Sequence, residues 1–346
     1  MQKSILSAAK IITATIAVAF APHLNGADLY WDSNGATEGA GATPTGTWGL
    51  DDFWNAVLDG TGATGPWTVG SDAIFSAGTD AAGPFTITVS GTQSANLLRV
   101  EEGSLTLSGG TITLSGSAEV NVASGLTTTM GSALAGSTGF RKTGPGTLVL
   151  TASSTATGDR RVEGGILSID TATRIPNNGT VTLDGGRLRQ TNPGNAGSFI
   201  QAATTLAVGP SGGIVDYTSS GAGLVSIYTG TITGPGNTLT KSGVHEFRYQ
   251  GLGTASSTYG KLIVNEGLFR IGSVIVSGAQ QSSEIGFGAV PGSFTADQIT
   301  LANGGSIGSS YNITLNANRG ILLGSGGGAF NNSAGTMTVL GAVSGS

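Results

Sequence analysis

The stretch KTGPGTLVL, residues 142–150, sets a single lysine against a glycine-rich turn and follows it with Leu148 and Leu150 alternating with smaller neighbours. It recurs. Downstream, LTKSGVHEFRY at residues 239–249 aligns Lys142 with Lys241, Gly144 with Gly243, Leu148 with Phe247 and Leu150 with Tyr249. Each copy leads into a second shared phrase, TATGDRRVEGGILSI at 155–169 and TYGKLIVNEGLFRI at 258–271, aligning Gly158 with Gly260, Val162 with Val264 and Gly165 with Gly267. A glycine-bounded strand phrase precedes each lysine, GSALAG at 131–136 and GTITG at 230–234, and a third variant, GAVSG, ends at Gly345. Self-similarity of this kind is the signature of a repeat architecture.

The two lysines are 99 residues apart, too far for one turn of a solenoid and far enough for several. Finer repetition fills the interval and its flanks. EEGSLTLSGGTITLSG (101–116), NNGTVTLDGGRLRQ (177–190) and NITLNANRGILLGSGGG (312–328) hold short strands separated by Asn-Gly, Gly-Gly or Ser-Gly turns, with apolar residues at every second position. Such strands bury a core only by stacking. Coils of roughly 20 to 25 residues spaced about 4.8 Å apart would put Leu105, Leu107, Ile112 and Leu114 into an inner column, with glycine at corners that need positive φ. On that spacing the chain makes roughly 13 to 16 coils. The lysine, recurring at one place in the repeat, is expected at a corner or sheet edge, where its charge would oppose edge-to-edge pairing.

Composition agrees with strands and turns. The chain has 346 residues, 60 of them glycine, with 10% charged and 38% hydrophobic residues and no cysteine, so it is neither disordered nor rich in long helices. Lys3 and Lys10, the apolar run 11–21 and small residues at Gly26 and Ala27 have the form of a secretory signal peptide over 1–27, too short to span a bilayer. Its removal would leave a net charge of −7, since it carries two lysines and no acid, which argues against a nucleic-acid partner. Export without cysteine leaves stability to hydrogen bonds and packing. Apart from the signal segment, no membrane insertion is expected.

The order of phrases, a glycine-bounded strand, then RKTGPGTL or LTKSG, then VEGGILSI or VNEGLFRI, resembles the autotransporter-associated β-strand repeat, a passenger-associated repeat of bacterial surface proteins. The opening ADLYWDSNGATEGAGATPTGTW with GSDAIFSAG is similar to the start of large exported proteins that carry it. The resemblance implies an all-β, right-handed parallel β-helix and a surface passenger without catalytic residues. The expected organisation is a signal peptide at 1–27, a Trp-rich N-terminal cap of the solenoid at 28–85, and a parallel β-helix over 86–346 with repeats near 140–170 and 238–272. A third lysine would fall just past Ser346, so the sequence is expected to be cut from a longer chain that continues into further coils and a translocator or anchor.

Residue types bear this out from the other side. His23 lies in the signal segment and His245 stands where the other copy has Gly146, leaving no partner set for zinc or for a Ser-His-Asp nucleophile. Asp and Asn oxygens leave calcium open, although no Gly-Gly-x-Gly-x-Asp array is present. The charged cluster Asp159, Arg160, Arg161, Glu163, Asp184, Arg187 and Arg189 is either a surface network or, on a β-helical lyase or glycoside hydrolase, a catalytic face. The adjacent Asp51 and Asp52 point to opposite faces of an extended segment and suit no shared chemistry. Trp31, Trp48, Trp54 and Trp67 either plug the first coil or stack on sugar rings in a glycan-binding module. The expectation is therefore no catalytic, cofactor-binding or metal site and no cofactor, in an exported, non-enzymatic passenger or stalk with a structural or adhesive role, meeting glycans or proteins at the cell surface.

Overall fold

A computed structural model describes residues 26–191, 197–219, 221, 223–251, 257–272, 274–276 and 279–345. The expected signal segment falls, but for its last two residues, outside the described residues. The chain is a parallel β-solenoid of about 12 turns with no α-helix among the described residues. Three stacks of strands form its walls. One runs from Asp28–Trp31 through Asp72–Phe75, residues 97–100 and 119–122, Phe140–Thr143, Arg160–Val162, Thr180–Leu183 and Thr205–Val208 to Ile232–Thr233. A second runs from Gly46–Trp48 through Pro84–Val89, Thr147–Leu150, Ile166–Ile169, Arg187–Gln190, Gly213–Tyr217, Thr238–Ser242 and Lys261–Val264 to Arg319–Leu323 and Val343–Gly345. The third contains Val225–Tyr228, Glu246–Tyr249, Leu268–Ile271, Gly305–Ser309 and Gly328–Phe330.

Period-two alternation makes the core. Ile87, Leu107, Met130, Leu150 and Ile169 stack in register as one inward column, and Leu148, Leu167, Leu188 and Val215 form another. All are buried, as are Leu105, Ile112 and Leu114. Each large apolar side chain so removed from water contributes roughly 1.5–3 kcal/mol. Corner glycines sit where expected: Gly144 has φ 69° and Gly165 has φ 60°. A Cβ on Gly144 would lie 2.4 Å from the Val122 carbonyl oxygen, so glycine is required there on two counts.

The two copies of the repeat are built alike. Phe140–Thr143 pairs with Arg160–Val162 and Thr147–Leu150 with Ile166–Ile169; likewise Thr238–Ser242 pairs with Lys261–Val264 and Glu246–Tyr249 with Leu268–Ile271. They nevertheless occupy different walls. The first starts on the first stack and turns onto the second, whereas the later copy starts on the second and turns onto the third. The 99 residues between the lysines therefore make four turns and one further wall.

The turn count is below that expected from a uniform coil. Val264 and Leu301 are neighbours in the stack although 37 residues apart, and the intervening chain includes the antiparallel hairpin Val274–Val276 with Ala279–Gln281. The N-terminal turns are also irregular: Trp54–Asn55 pairs antiparallel with Asp28–Trp31 on one side and with Thr64–Gly65 on the other.

Candidate functional site

The recurring lysine is not at an edge. Lys142 and Lys241 are fully buried, each occupying an inward place that its stacked neighbours fill with Val120 and Val162, or with Val215 and Val264. The expectation of an edge charge is corrected: the residue does stand at a corner, but inside it. Lys142 Nζ donates to the carbonyl oxygens of Thr143 at 2.6 Å, Gly144 at 2.9 Å and, one coil on, Gly164 at 3.2 Å. Lys241 Nζ donates to the Gly243 carbonyl and, at 2.9 Å, to that of Glu266. Gly164 and Glu266 are equivalent positions in the repeat, so each ammonium ties its own corner to the next. Burial pushes both lysines down to about 8.

Two arginines use the same device. Arg160, fully buried, donates to the carbonyls of Gly158 at 2.7 Å and Asn178 at 2.5 Å. Arg319, also fully buried, reaches the carbonyls of Phe287 at 3.1 Å and Gly288 at 3.0 Å and the Glu284 carboxylate at 3.3 Å.

The charged cluster read from the sequence separates into parts. Arg160 points inward, and Asp159 accepts the Thr180 N–H at 2.8 Å. Arg141 and Arg161, paired in register on the outer face, both reach Glu163 at 2.5 Å; Arg161 also pairs with Asp184, and Glu119 lies 3.9 Å from Arg141. Arg187 and Arg189 turn instead to Asp216, at 2.9 and 2.8 Å. Burial alone would raise the Asp216 carboxyl, but Arg189 and Arg187 outweigh it and hold it below the usual range. Further along, Glu246 accepts from Arg248 at 2.6 Å and Arg270 at 3.0 Å. Glu163, Asp184, Asp216 and Glu246 are thus each paired with guanidinium groups of their own or a neighbouring coil, and around Glu163 and Asp184 these groups are part-exposed, the arrangement of a surface network.

The remaining candidates are similarly engaged. His245 is buried, with Nε2 3.0 Å from the Ser219 carbonyl oxygen and its ring 5.4 Å from Tyr217. Asp51 accepts the Thr47 N–H at 2.6 Å within a turn. A cleft of about 690 Å³ is lined by Glu38, Asp59, Asp80, Glu101 and Glu102, a feature that sequence reasoning missed because its acids come from four separate loops. Asp80 accepts from the Ala40 and Gly41 amides, and Glu102 from Ser76 Oγ and the Ala81 amide. No group of three or more His, Cys, Asp or Glu side chains suited to a metal occurs among the described residues.

The tryptophans lie at the first turns and pack on one another. Trp31, Trp48 and Trp54 are buried; Trp54 has its ring centroid 5.1 Å from Trp31, 5.2 Å from Trp48 and 4.5 Å from the half-buried Trp67. Their faces are spent on each other and on Phe75, which removes Trp31, Trp48 and Trp54 as platforms for a sugar ring.

The model of the passenger-associated-transport-repeat matches residues 140–169, from Phe140 beside the first buried lysine to the end of the strand Ile166–Ile169. Residues 140–169 are thus similar to a passenger-associated transport repeat. Over 149 residues, 43% of the chain, it is 34% identical to the adhesin BmaC autotransporter of Brucella suis biovar 1 (strain 1330). The match spans 4% of that relative's length. No solved structure matches. The transport repeat coincides with the two coils that the Lys142 ammonium ties together, so its lysine and corner glycines are there for the solenoid's geometry.

Proposed function

We propose that the chain is a section of an exported, non-catalytic passenger: a stiff β-solenoid stalk at the bacterial surface that presents its outer wall and loops for adhesion. The observation that carries this is the use made of charge. Buried cations hold corners, and outer acids pair with neighbouring guanidinium groups, leaving the cluster most like an enzyme's catalytic face divided among structural roles. The transport repeat and the similarity to a protein named an adhesin support the same reading. Within it, residues 28–85 serve as the cap that closes the first coil with tryptophan, and surface glycans or proteins are the partners.

The test is a pair of measurements on one purified chain: binding to a glycan array and to host-cell surfaces, alongside release of reducing ends from the same glycans. Binding without release is expected. Turnover of any polysaccharide, abolished by Glu163→Gln in a folded protein, would overturn the non-catalytic reading in favour of a lyase or hydrolase.

A further inference from the structure

Of the four tryptophans in the first turns, Trp67 alone is left partly open to water. Its ring packs against Trp48 and Trp54, with centroids 5.0 and 4.5 Å away, and its indole N–H donates to the Ser94 carbonyl at 3.1 Å. The ring is thereby fixed in one pose while remaining only half-buried. It lines a groove of about 190 Å³ together with Leu50 and Val69, which are 73% and 74% exposed, and with Asp51, Asp52 and Gln93.

The two neighbouring acids were expected to point apart. They reach one groove because residues 49–51 form a turn, opened by Gly49 at φ 99°, and not the extended segment in which side chains alternate. Asp51 accepts the Thr47 N–H at 2.6 Å and closes that turn. Asp52 is exposed and has no hydrogen bond or ion pair among the described residues. No lysine or arginine lines the groove.

We propose that this groove is a subsite for one ring of a glycan bearing free amino groups, a de-N-acetylated hexosamine. The inference rests on the adhesive reading above and names the chemistry of its partner. Size, shape and charge select the ligand. The volume suits a single pyranose ring and falls below the roughly 300–1,000 Å³ of pockets for larger molecules. An indole held rigid between two apolar side chains takes the C–H face of a pyranose and attracts a cation lying within about 6 Å of its ring. Charge then decides between sugars. Two carboxylates without a basic neighbour favour an ammonium substituent over the neutral acetamido group on the same ring, and oppose a uronic acid. Gln93, whose Nε2 donates to the Ser90 carbonyl at 2.7 Å, has its Oε1 left to accept from a sugar hydroxyl.

The experiment titrates the whole chain with a glucosamine tetramer, with its fully N-acetylated counterpart, and with spermidine as a cation lacking a sugar ring, read by calorimetry and tryptophan fluorescence. Saturable binding of the amino tetramer is expected, with the roughly millimolar constant of a single-ring site and weakening at high salt. The acetylated tetramer and spermidine should each bind at least about tenfold more weakly. Asp52→Asn, at an exposed residue without a partner, should weaken the amino tetramer by about tenfold or more and leave the thermal midpoint unchanged. Trp67→Phe, which keeps an aromatic ring in the cluster, should weaken binding and remove most of the fluorescence change. The proposal is overturned if the wild type gives no saturable signal well above that constant, if spermidine or the acetylated tetramer binds as tightly, or if Asp52→Asn binds like the wild type. Wild type and Asp52→Asn adhering alike to host cells through other glycans would overturn the groove and leave the adhesive reading standing. Amino-tetramer binding by a chain that adheres to no cell surface would support the groove and sink that reading.

Discussion

At the scale of single residues, the buried lysines are the most informative feature, and they were half legible. The repeat showed that Lys142 and Lys241 are equivalent. Their parity was also in the sequence: Lys142 is two residues from Phe140 and Lys241 two from Leu239, both inward, so a strand of period two carries each lysine to the inside. The same parity puts Arg160 in phase with Val162 and Arg319 in phase with Ile321. What misled was the general scarcity of buried lysine, a rule that fails where corner carbonyls converge on one point. Lys142→Met keeps the volume and removes the donor to three carbonyls, and is expected to cost about 1–3 kcal/mol by thermal or chemical unfolding. A pH dependence follows as well. The folded ammonium titrates at about 8 and the unfolded one near 10.4, so between those values the unfolded chain holds protons the folded chain has released. Stability therefore rises with pH through that window, while below about 8 the whole penalty of burying the charge is present. The midpoint of the wild type should gain on that of Lys142→Met as pH moves from 8 to 10; a constant difference would remove the titration from the account.

At the scale of elements, strands and corners were readable and their placement around the solenoid was not. Alternation and Gly-rich turns give each strand's inside and outside, but the wall it joins depends on every residue of every coil before it. Successive partners Val120, Lys142, Val162 and Leu183 are 20 to 22 residues apart, whereas Leu188 and Val215 are separated by 27. The later repeat lies on the next wall because its separation from the first is four turns and one further wall, not a whole number of turns. Corners are the elements least able to vary. Gly165→Ala would set a Cβ 2.2 Å from the Gly146 carbonyl oxygen at φ 60°, and the expected loss is about 1–3 kcal/mol, larger than that for an alanine at an outward strand position such as Val149. The outer ladder should matter much less. Burial would raise the Glu163 carboxyl, but Arg141 and Arg161 outweigh it and hold it below the usual carboxylate value. Its contribution is present above the unfolded value near 4.3 and is lost as pH falls through the depressed folded one. Because the pair is part-exposed, Glu163→Gln is expected to cost no more than about 1 kcal/mol at neutral pH, and less at high salt.

At the scale of the whole molecule, each coil touches only its neighbours, so stability is a chain of nearest-neighbour terms and the loss of one coil's packing is felt first by the coils beside it. The role of the aromatic cluster in the first turns was left by the sequence between plug and sugar platform; burial of Trp31, Trp48 and Trp54 decides against the platform for those three. Trp54→Ala would empty the centre of that cluster, where the ring meets Trp31, Trp48, Trp67 and Phe75, at a cost of about 3–5 kcal/mol. In a globular core such a loss would be shared by the whole fold. Here the cost should stay local, because coils around residues 140–170 have their own core, corner glycines and buried lysine, and no contact with Trp54. Amide hydrogen exchange of the variant should therefore speed up over residues 28–100 while the strands Thr147–Leu150 and Ile166–Ile169 keep wild-type protection. Uniform loss of protection along the chain would mean that the solenoid unfolds as one unit, and no loss near the first turns would mean that the tryptophans do not close its end.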